Sequence, residues 1–348
     1  MNRILIMAGG TGGHVFPALA VAEALKIQGI DVCWLGTRKG LESKVVPAAD
    51  IEIKYINIKG VRGKGILGLL LAPVRIFLAI WQSIRILRIV RPDKVIGFGG
   101  FVTGPGGVAA WLLGIPLLIH EQNAVAGLTN RWLAKIATQV MEAFPNTFPD
   151  NVICTGNPLR TNIKNRSATK SKNLHILVVG GSLGAKVLNE IVPIVLQQIP
   201  ADIEVWHQTG SIHFEAMQQV YSGKNFKITA FIDDIGKAYA WADLVICRAG
   251  AITVSELAQA GVASILVPYP YAVDDHQTLN AKFLSAKQAA ILLPQPELTV
   301  DKLTVILTEL YKERSRLQTM AMAAKNCATP NALQQIVDII TDIPNSNI

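Results

Sequence analysis

The chain has 348 residues, half of them apolar and 17% charged, with 28 glycines and 17 prolines. That is enough for two ordinary globular domains, and it excludes disorder, collagen, a coiled coil and a disulfide scaffold. The formal net charge is +8, so the question is where the positive charge sits.

The first element is a buried-strand pattern, Arg3–Ala8, whose apolar run is too short for a signal peptide and ends in glycines. Further β-branched runs follow at Asp31–Leu35, Glu52–Asn57, Lys94–Phe98, Pro116–His120 and Gln139–Ala143, each separated from the next by helical patterning. After Asn157-Pro158 the pattern restarts, with Leu174–Val179, Glu204–Gln208, Lys227–Phe231, Leu244–Cys247 and Ser264–Val267. Strand–helix alternation predicts α/β architecture with parallel sheets covered on both faces. Arg3 to His14 also resembles His175 to Lys186, each a strand, a glycine turn with a hydroxyl, and a helix, so each opens one doubly wound sheet. The polar stretch 161–172 reads as the linker region, and a last helix near Asn331–Asp342 follows Pro330, free to pack on either domain. Cys33, Cys154, Cys247 and Cys327 form no C-x-x-C pair, which points to a reducing cytoplasm rather than to a zinc or redox site.

The charge is concentrated between residues 59 and 94. There Lys59, Arg62, Lys64, Arg75, Arg85, Arg88, Arg91 and Lys94 face one acid, Asp93, a net of +7. The same segment holds the strongest apolar run, Ile66–Trp81. As a helix it reaches ~24 Å at about 1.5 Å per residue, short of the ~30 Å hydrocarbon core, so it should not span. A basic apolar helix carrying Phe77 and Trp81 suits the interface of an anionic membrane, against the alternative of a buried helix with solvated arginines. Its apolar content is too high for a nucleic-acid surface.

Three glycine turns follow strands: Gly9-Gly10-Thr11-Gly12-Gly13, Gly99 to Gly107, and Gly180-Gly181-Ser182-Leu183-Gly184. A glycine turn feeding a helix N-terminus presents free N–H groups and a positive dipole end to an anion. Neither the first nor the third matches the dinucleotide fingerprint or a P-loop. Arg38 leaves a faint NADP option. Thr253 and Glu256 have capping-box spacing, so Glu256 either holds a helix start at 253 or accepts ribose hydroxyls beside a helix end that faces a diphosphate.

The motifs Gly9–Pro17, Gly97–Pro105, His120-Glu121-Gln122-Asn123, Gly156–Arg160, Gly180–Ala185, Phe231–Asp234 and Arg248–Glu256 occur in this order along nearly the whole chain. Together they resemble the bacterial family of UDP-N-acetylglucosamine–lipid I transferases of peptidoglycan synthesis. That resemblance implies a GT-B fold, two Rossmann-like doubly wound parallel-sheet domains facing a cleft. Residues 1–159 would form the acceptor and membrane-docking domain, 160–329 the UDP-N-acetylglucosamine domain, and 330–348 would pack back on the first. It implies an inverting transfer to lipid I at the cytoplasmic face of the inner membrane, with a peripheral enzyme docked through residues 59–94 and no nucleic-acid partner. Donor contacts fall on Thr11, Gly12, Gly13, Asn123, Arg160, Ser182, Ile232, Ala251, Ile252, Thr253, Val254, Ser255, Glu256 and Gln277, with Gly184 completing its turn. Ser182, Arg160 and the helix end near 253 would balance charge on UDP, Glu256 would hold the ribose, backbone at Ile232 the uracil, and Gln277 the sugar hydroxyls.

His14 follows the first glycine turn at a helix N-terminus. There the dipole disfavours imidazolium, so a neutral ring can act as the base. His276-Gln277 stands in place of a paired Gln-Gln, and Phe101 where an aromatic hydroxyl is common. The adjacent acids Asp233-Asp234 and Asp274-Asp275 lack metal-site spacing, so no cofactor or resident metal is expected, with room left for a divalent cation that assists product release. Competing expectations are another GT-B enzyme, such as a glycolipid synthase or a UDP-N-acetylglucosamine 2-epimerase, a dinucleotide-binding oxidoreductase or sensor, and a structural membrane-associated protein.

Overall fold

The computed structural model describes residues 3–58, 71–159, 163, 172–181, 184–199, 202–221 and 225–344. The chain divides into two compact units, Met1–Leu159 with Pro330–Ile348, and Arg160–Thr329. Among the described residues, the first unit carries parallel strands β1 (Arg3–Ala8), β2 (Asp31–Gly36), β3 (Glu52–Tyr55), β4 (Lys94–Gly99), β5 (Leu117–Glu121), β6 (Gln139–Glu142) and β7 (Val152–Cys154). Their spatial order is β3-β2-β1-β4-β5-β6-β7. The second carries β8 (Leu174–Val179), β9 (Ile203–Gln208), β10 (Phe226–Thr229), β11 (Leu244–Cys247), β12 (Ala263–Leu266) and β13 (Ala290–Leu292), ordered β10-β9-β8-β11-β12-β13 and again parallel. In each sheet the order reverses beside the first strand, between β1 and β4 and between β8 and β11. Such switch points open a crevice outside the strand C-termini.

The strand residues explain these sheets. Ile4, Ile6 and Ala8 of β1 join one buried cluster, while Leu5 and Met7 join the other. A strand buried on both faces reads as a continuous apolar run, which is why β1 and β8 are so plain in the sequence. The edge strands β7 and β13 are absent from the sequence reading. Each has three residues, too few to display a period.

The last helix, Ala332–Asp342, packs on the first unit, where Ile336, Val337 and Ile340 share a cluster with residues of β1 and of the helix Gly12–Ile27. Lys94 fastens its end. This side chain is buried, and its Nζ donates to the carbonyls of Ile340 (2.8 Å) and Thr341 (3.0 Å). A cation there satisfies carbonyls the final helical turn leaves open. Burial lowers its pKa. Lys94 therefore does not belong to the surface patch in which the charge count placed it.

Of that patch, Lys59, Arg62, Lys64 and residues 66–70 lie outside the described residues. The helix of the segment runs over Ala72–Val90, with Pro73 in its first turn, where a missing N–H costs nothing. It therefore continues well past Trp81. Arg75, Arg85, Arg88 and Arg91 are exposed. So are Val74, Phe77, Leu78, Trp81 and Ile89, whereas Ala79, Ser83, Leu87 and Val90 face the protein. The Arg85 guanidinium lies 4.8 Å over the Trp81 ring. Two residues the sequence reading passed over extend this character to other helices. Trp111, on the helix Thr103–Leu112, and Trp132, on Leu128–Leu133, are both more than half exposed. Among the described residues, no helix is long and apolar enough to cross a membrane.

Candidate functional site

In the first unit, two glycine turns meet at the switch point. A methyl group on Gly100 (φ 84°) would stand 2.2 Å from the Gly9 carbonyl oxygen, so the turn after β4 lies backbone to backbone on the turn after β1. Only glycine permits that approach with that dihedral. The first turn is held from below by Glu42. This wholly buried side chain accepts from Gly10 N (3.1 Å), Thr37 N (2.9 Å) and Thr37 Oγ1 (2.8 Å).

Thr11 is the N-cap of the helix Gly12–Ile27 but makes no side-chain cap. The first-turn N–H groups, Gly12 and Gly13 among them, have no acceptor within the helix. His14 is its third residue. The ring rests on Gly99 (φ 106°), where a methyl group would come within 2.8 Å of His14 Cδ2 and 3.0 Å of Nε2. The glycine is thus a seat for the imidazole.

The His-Glu-Gln-Asn motif at the end of β5 is largely scaffold. His120 is wholly buried; its Nε2–H donates to the Gly156 carbonyl (3.0 Å) and its Nδ1 accepts from Gln122 (3.0 Å). Burial pushes its pKa down to about 4, so the ring is neutral. Glu121 is buried too. It accepts from Asn123 N (3.0 Å) and Nδ2 (3.2 Å), from Gly127 N (3.1 Å) and from Asn130 Nδ2 (2.9 Å). Asn123 is thereby oriented.

In the second unit, the turn after β8 has Gly181 at φ 86° and Gly184 at φ 76°, closed by Gly184 N donating to the Gly181 carbonyl (2.8 Å). Ser182 within it, and Arg160, lie outside the described residues. A methyl group at Gly184 would stand 2.1 Å from the Thr209 carbonyl oxygen. Gln208, the buried last residue of β9, lies beneath. It accepts from Gly181 N (3.1 Å) and donates through Nε2 to the carbonyls of Gly181 (2.9 Å) and Ala230 (2.9 Å).

Across the switch point, the helix Ala251–Ala260 begins at Gly250 with no side-chain cap. This corrects the expected start at 253: Thr253 is the third helical residue and Glu256 the sixth, so Glu256 is out of position for a capping box. Ala251, Ile252 and Thr253 present first-turn N–H groups. Val254 does not, because its side chain is wholly buried and its N–H is given to Gly250 O (2.9 Å). The Glu256 carboxylate accepts from Tyr239 OH (3.1 Å). Burial and the charge of Glu256 hold the Tyr239 phenol far above its ordinary pKa, so it remains a donor. Ile232 is buried just beyond Ala230.

Gln277 borders an open depression of about 490 Å³ with Gly180, Gly184, Lys186, Arg248, Tyr269 and Gln295. Its Oε1 accepts from Tyr269 N (2.9 Å) and Ala249 N (3.3 Å), so it can address a ligand only as a donor. Arg248 is fixed by Val267 O (3.2 Å), Pro268 O (3.1 Å) and Gln295 Oε1 (2.8 Å). Arg248 opens the motif Arg248–Glu256, and its place just past the end of β11 and before Gly250 is the signal in the sequence that marks it. Asp234 caps the helix Ile235–Trp241 through Lys237 N, and Asp275 precedes the helix His276–Ser285 and accepts from Thr278. One member of each acid pair thus has a structural duty. Among the described residues, no group of three or more His, Cys, Asp or Glu is placed to hold a metal ion.

Residues 4–142 match the glycosyltransferase family 28 N-terminal domain, and residues 175–336 its C-terminal domain. The chain is 51% identical to a UDP-N-acetylglucosamine--N-acetylmuramyl-(pentapeptide) pyrophosphoryl-undecaprenol N-acetylglucosamine transferase of Marinobacter nauticus, covering 99% of this chain and 98% of that protein. It is 53% identical to the protein of the same name from Nitrosomonas europaea, over 96% and 97%. The crystal structure of Acinetobacter baumannii MurG superposes with a TM-score of 0.87 at 46% identity, covering 99% of this chain and all of that one.

Proposed function

The chain belongs to glycosyltransferase family 28, and from that membership we propose that it moves N-acetylglucosamine from UDP-N-acetylglucosamine to the 4-hydroxyl of MurNAc in undecaprenyl-pyrophosphoryl-MurNAc-pentapeptide, with inversion. The observation that carries this is the 51% identity, over an alignment covering 99% of the chain, to a relative named for an N-acetylglucosamine transfer of that kind.

The charge beneath the glycine turns supports the division of labour. Glu42 places a carboxylate under the first turn and takes its Gly10 N–H, which suits that turn poorly to a diphosphate. Gln208 places a neutral amide under the turn of the second unit. The diphosphate therefore goes to Gly180–Gly184 and to the N–H groups opening the helix Ala251–Ala260, with Ser182 and Arg160 as further donors. Glu256 accepts the ribose hydroxyls, backbone at Ile232 holds the uracil, and the Gln277 amide donates to sugar hydroxyls. In the first unit Thr11, Gly12, Gly13 and Asn123 complete the donor contacts. His14 takes the proton from the acceptor hydroxyl as that oxygen bonds to the anomeric carbon. The bond from that carbon to the diphosphate oxygen breaks, and UDP leaves with the electron pair.

UDP release is expected only when UDP-N-acetylglucosamine and a lipid I analogue are both present. A folded protein that released none from the pair would overturn the reading, and UDP-ManNAc formed from the donor alone would replace it with epimerisation.

The acceptor is a membrane lipid, and the helix Ala72–Val90 offers the surface to reach it. Its exposed Phe77, Leu78 and Trp81, beside Arg75, Arg85 and Arg88, would lie in the interface of an anionic leaflet at the cytoplasmic face of the membrane. Each basic residue near such a surface contributes about 1 kcal/mol, so changing Arg85, Arg88 and Arg91 together to Gln should weaken flotation with anionic vesicles by roughly a hundredfold. Equal flotation of the variant would remove the electrostatic part of the proposal.

A further inference from the structure

We propose that Gln208 is a positioning residue for the donor: it sets the diphosphate turn and the uracil segment in one geometry, and does so without charge. The inference rests on the second unit being the nucleotide holder. Gln208 is 3% exposed and stands at the C-terminal end of β9, in register with Val179, the residue before the turn. Its one amide makes three backbone hydrogen bonds. Two grip Gly181, at its N–H and at its carbonyl, so that peptide planes on both sides of the residue are oriented. The third reaches Ala230, two residues before Ile232. The turn and the uracil segment are otherwise separate loops, leaving β8 and β10, the two strands that flank β9. Gln208 lies between them and ties them together.

Only an amide can do this. A carboxylate accepts but cannot donate to the two carbonyls, and it would add an anion beneath the site where a diphosphate must sit. The first unit makes the contrast: there the equivalent turn is bridged by Glu42, which accepts from N–H and O–H groups alone. A merely structural bridge is served by either chemistry; a bridge under a polyanion is not.

The test uses the full chain with two substitutions. Gln208→Met removes all three hydrogen bonds at similar size. Gln208→Glu keeps the acceptor for Gly181 N–H, loses both donations and adds the charge. With three orienting hydrogen bonds lost in the Met variant, and two lost and a charge added in the Glu variant, the donor KM should rise roughly tenfold or more in both, further in the Glu variant than in the Met variant, while the acceptor KM stays as in wild type. Titration with UDP should show the same order, and uridine, which lacks the diphosphate, should not separate the two variants. A donor KM unchanged in folded variants, or acceptor and donor KM moving together, would overturn the proposal. If the Glu variant fails to fold, the Met variant decides. Loss of fold in both also counts against it, by making Gln208 a stability residue. Failure of the wild type to bind UDP would strike the nucleotide assignment itself, and is thereby distinguished from failure of this inference alone.

Discussion

Alanine at His14 is expected to lower kcat by on the order of 10² to 10⁴, the usual contribution of a positioned proton acceptor, with UDP affinity nearly unchanged. The separation follows from where the group sits. His14 belongs to the first unit, on the third residue of the helix Gly12–Ile27, with its ring against Gly99. Glu256, Ile232 and the 180–184 turn, the proposed nucleotide contacts, belong to the second. An interaction made only as the acceptor proton departs lowers kcat and kcat/KM together and leaves ground-state binding alone. Steady-state kinetics beside UDP titration read both quantities. A near-normal rate, or a loss of rate matched by a loss of UDP binding, would exclude His14 as the base.

Glu256→Ala should raise the donor KM by roughly a hundredfold or more, since hydrogen bonds to a charged group contribute about 1.5–3 kcal/mol each and the proposal gives this carboxylate two ribose hydroxyls. The substitution has a second consequence. Tyr239 is buried and gives its hydroxyl to Glu256, so alanine strands that donor at a cost of about 1–3 kcal/mol in stability. Glu256→Gln keeps an acceptor for Tyr239 and separates the two effects: stability should return while donor affinity returns only in part. The sharper check is the nucleotide lacking its ribose hydroxyls. Wild type should discriminate strongly between UDP and 2′,3′-dideoxy-UDP, and the alanine variant should bind the two about equally. Unaltered discrimination would sink the ribose role. The capping role is already closed to this residue, because the helix starts at Ala251, five residues before it.

Legibility differed by element for identifiable reasons. β1, β8 and β11 stand in the sequence at their observed limits, because a strand buried on both faces needs an unbroken apolar run. β7 and β13 do not, since three edge residues carry no such demand. The glycine turns were legible from spacing alone, whereas His14 and the segment 251–256 were singled out through the family resemblance. The start of the latter helix was misplaced by two residues, because Thr253 and Glu256 imitate a cap that Gly250 in fact supplies by backbone alone. Lys94 was counted with the surface charges, and nothing local to it reveals two carbonyls nearly 250 residues away.

From its sequence alone, this chain was determined to be a two-sheet α/β protein with glycine turns at strand ends and a basic apolar helix, because those features depend on local periodicity, on glycine, and on charge that accumulates over a short stretch. Which turn lies over a carboxylate and which over an amide was decided only by the tertiary structure. Glu42 and Gln208 lie 32 and 27 residues from the glycines they hold. Parallel pairing brings them there, because it sets the C-terminal ends of successive strands along one edge and so joins residues that a whole helical crossover separates.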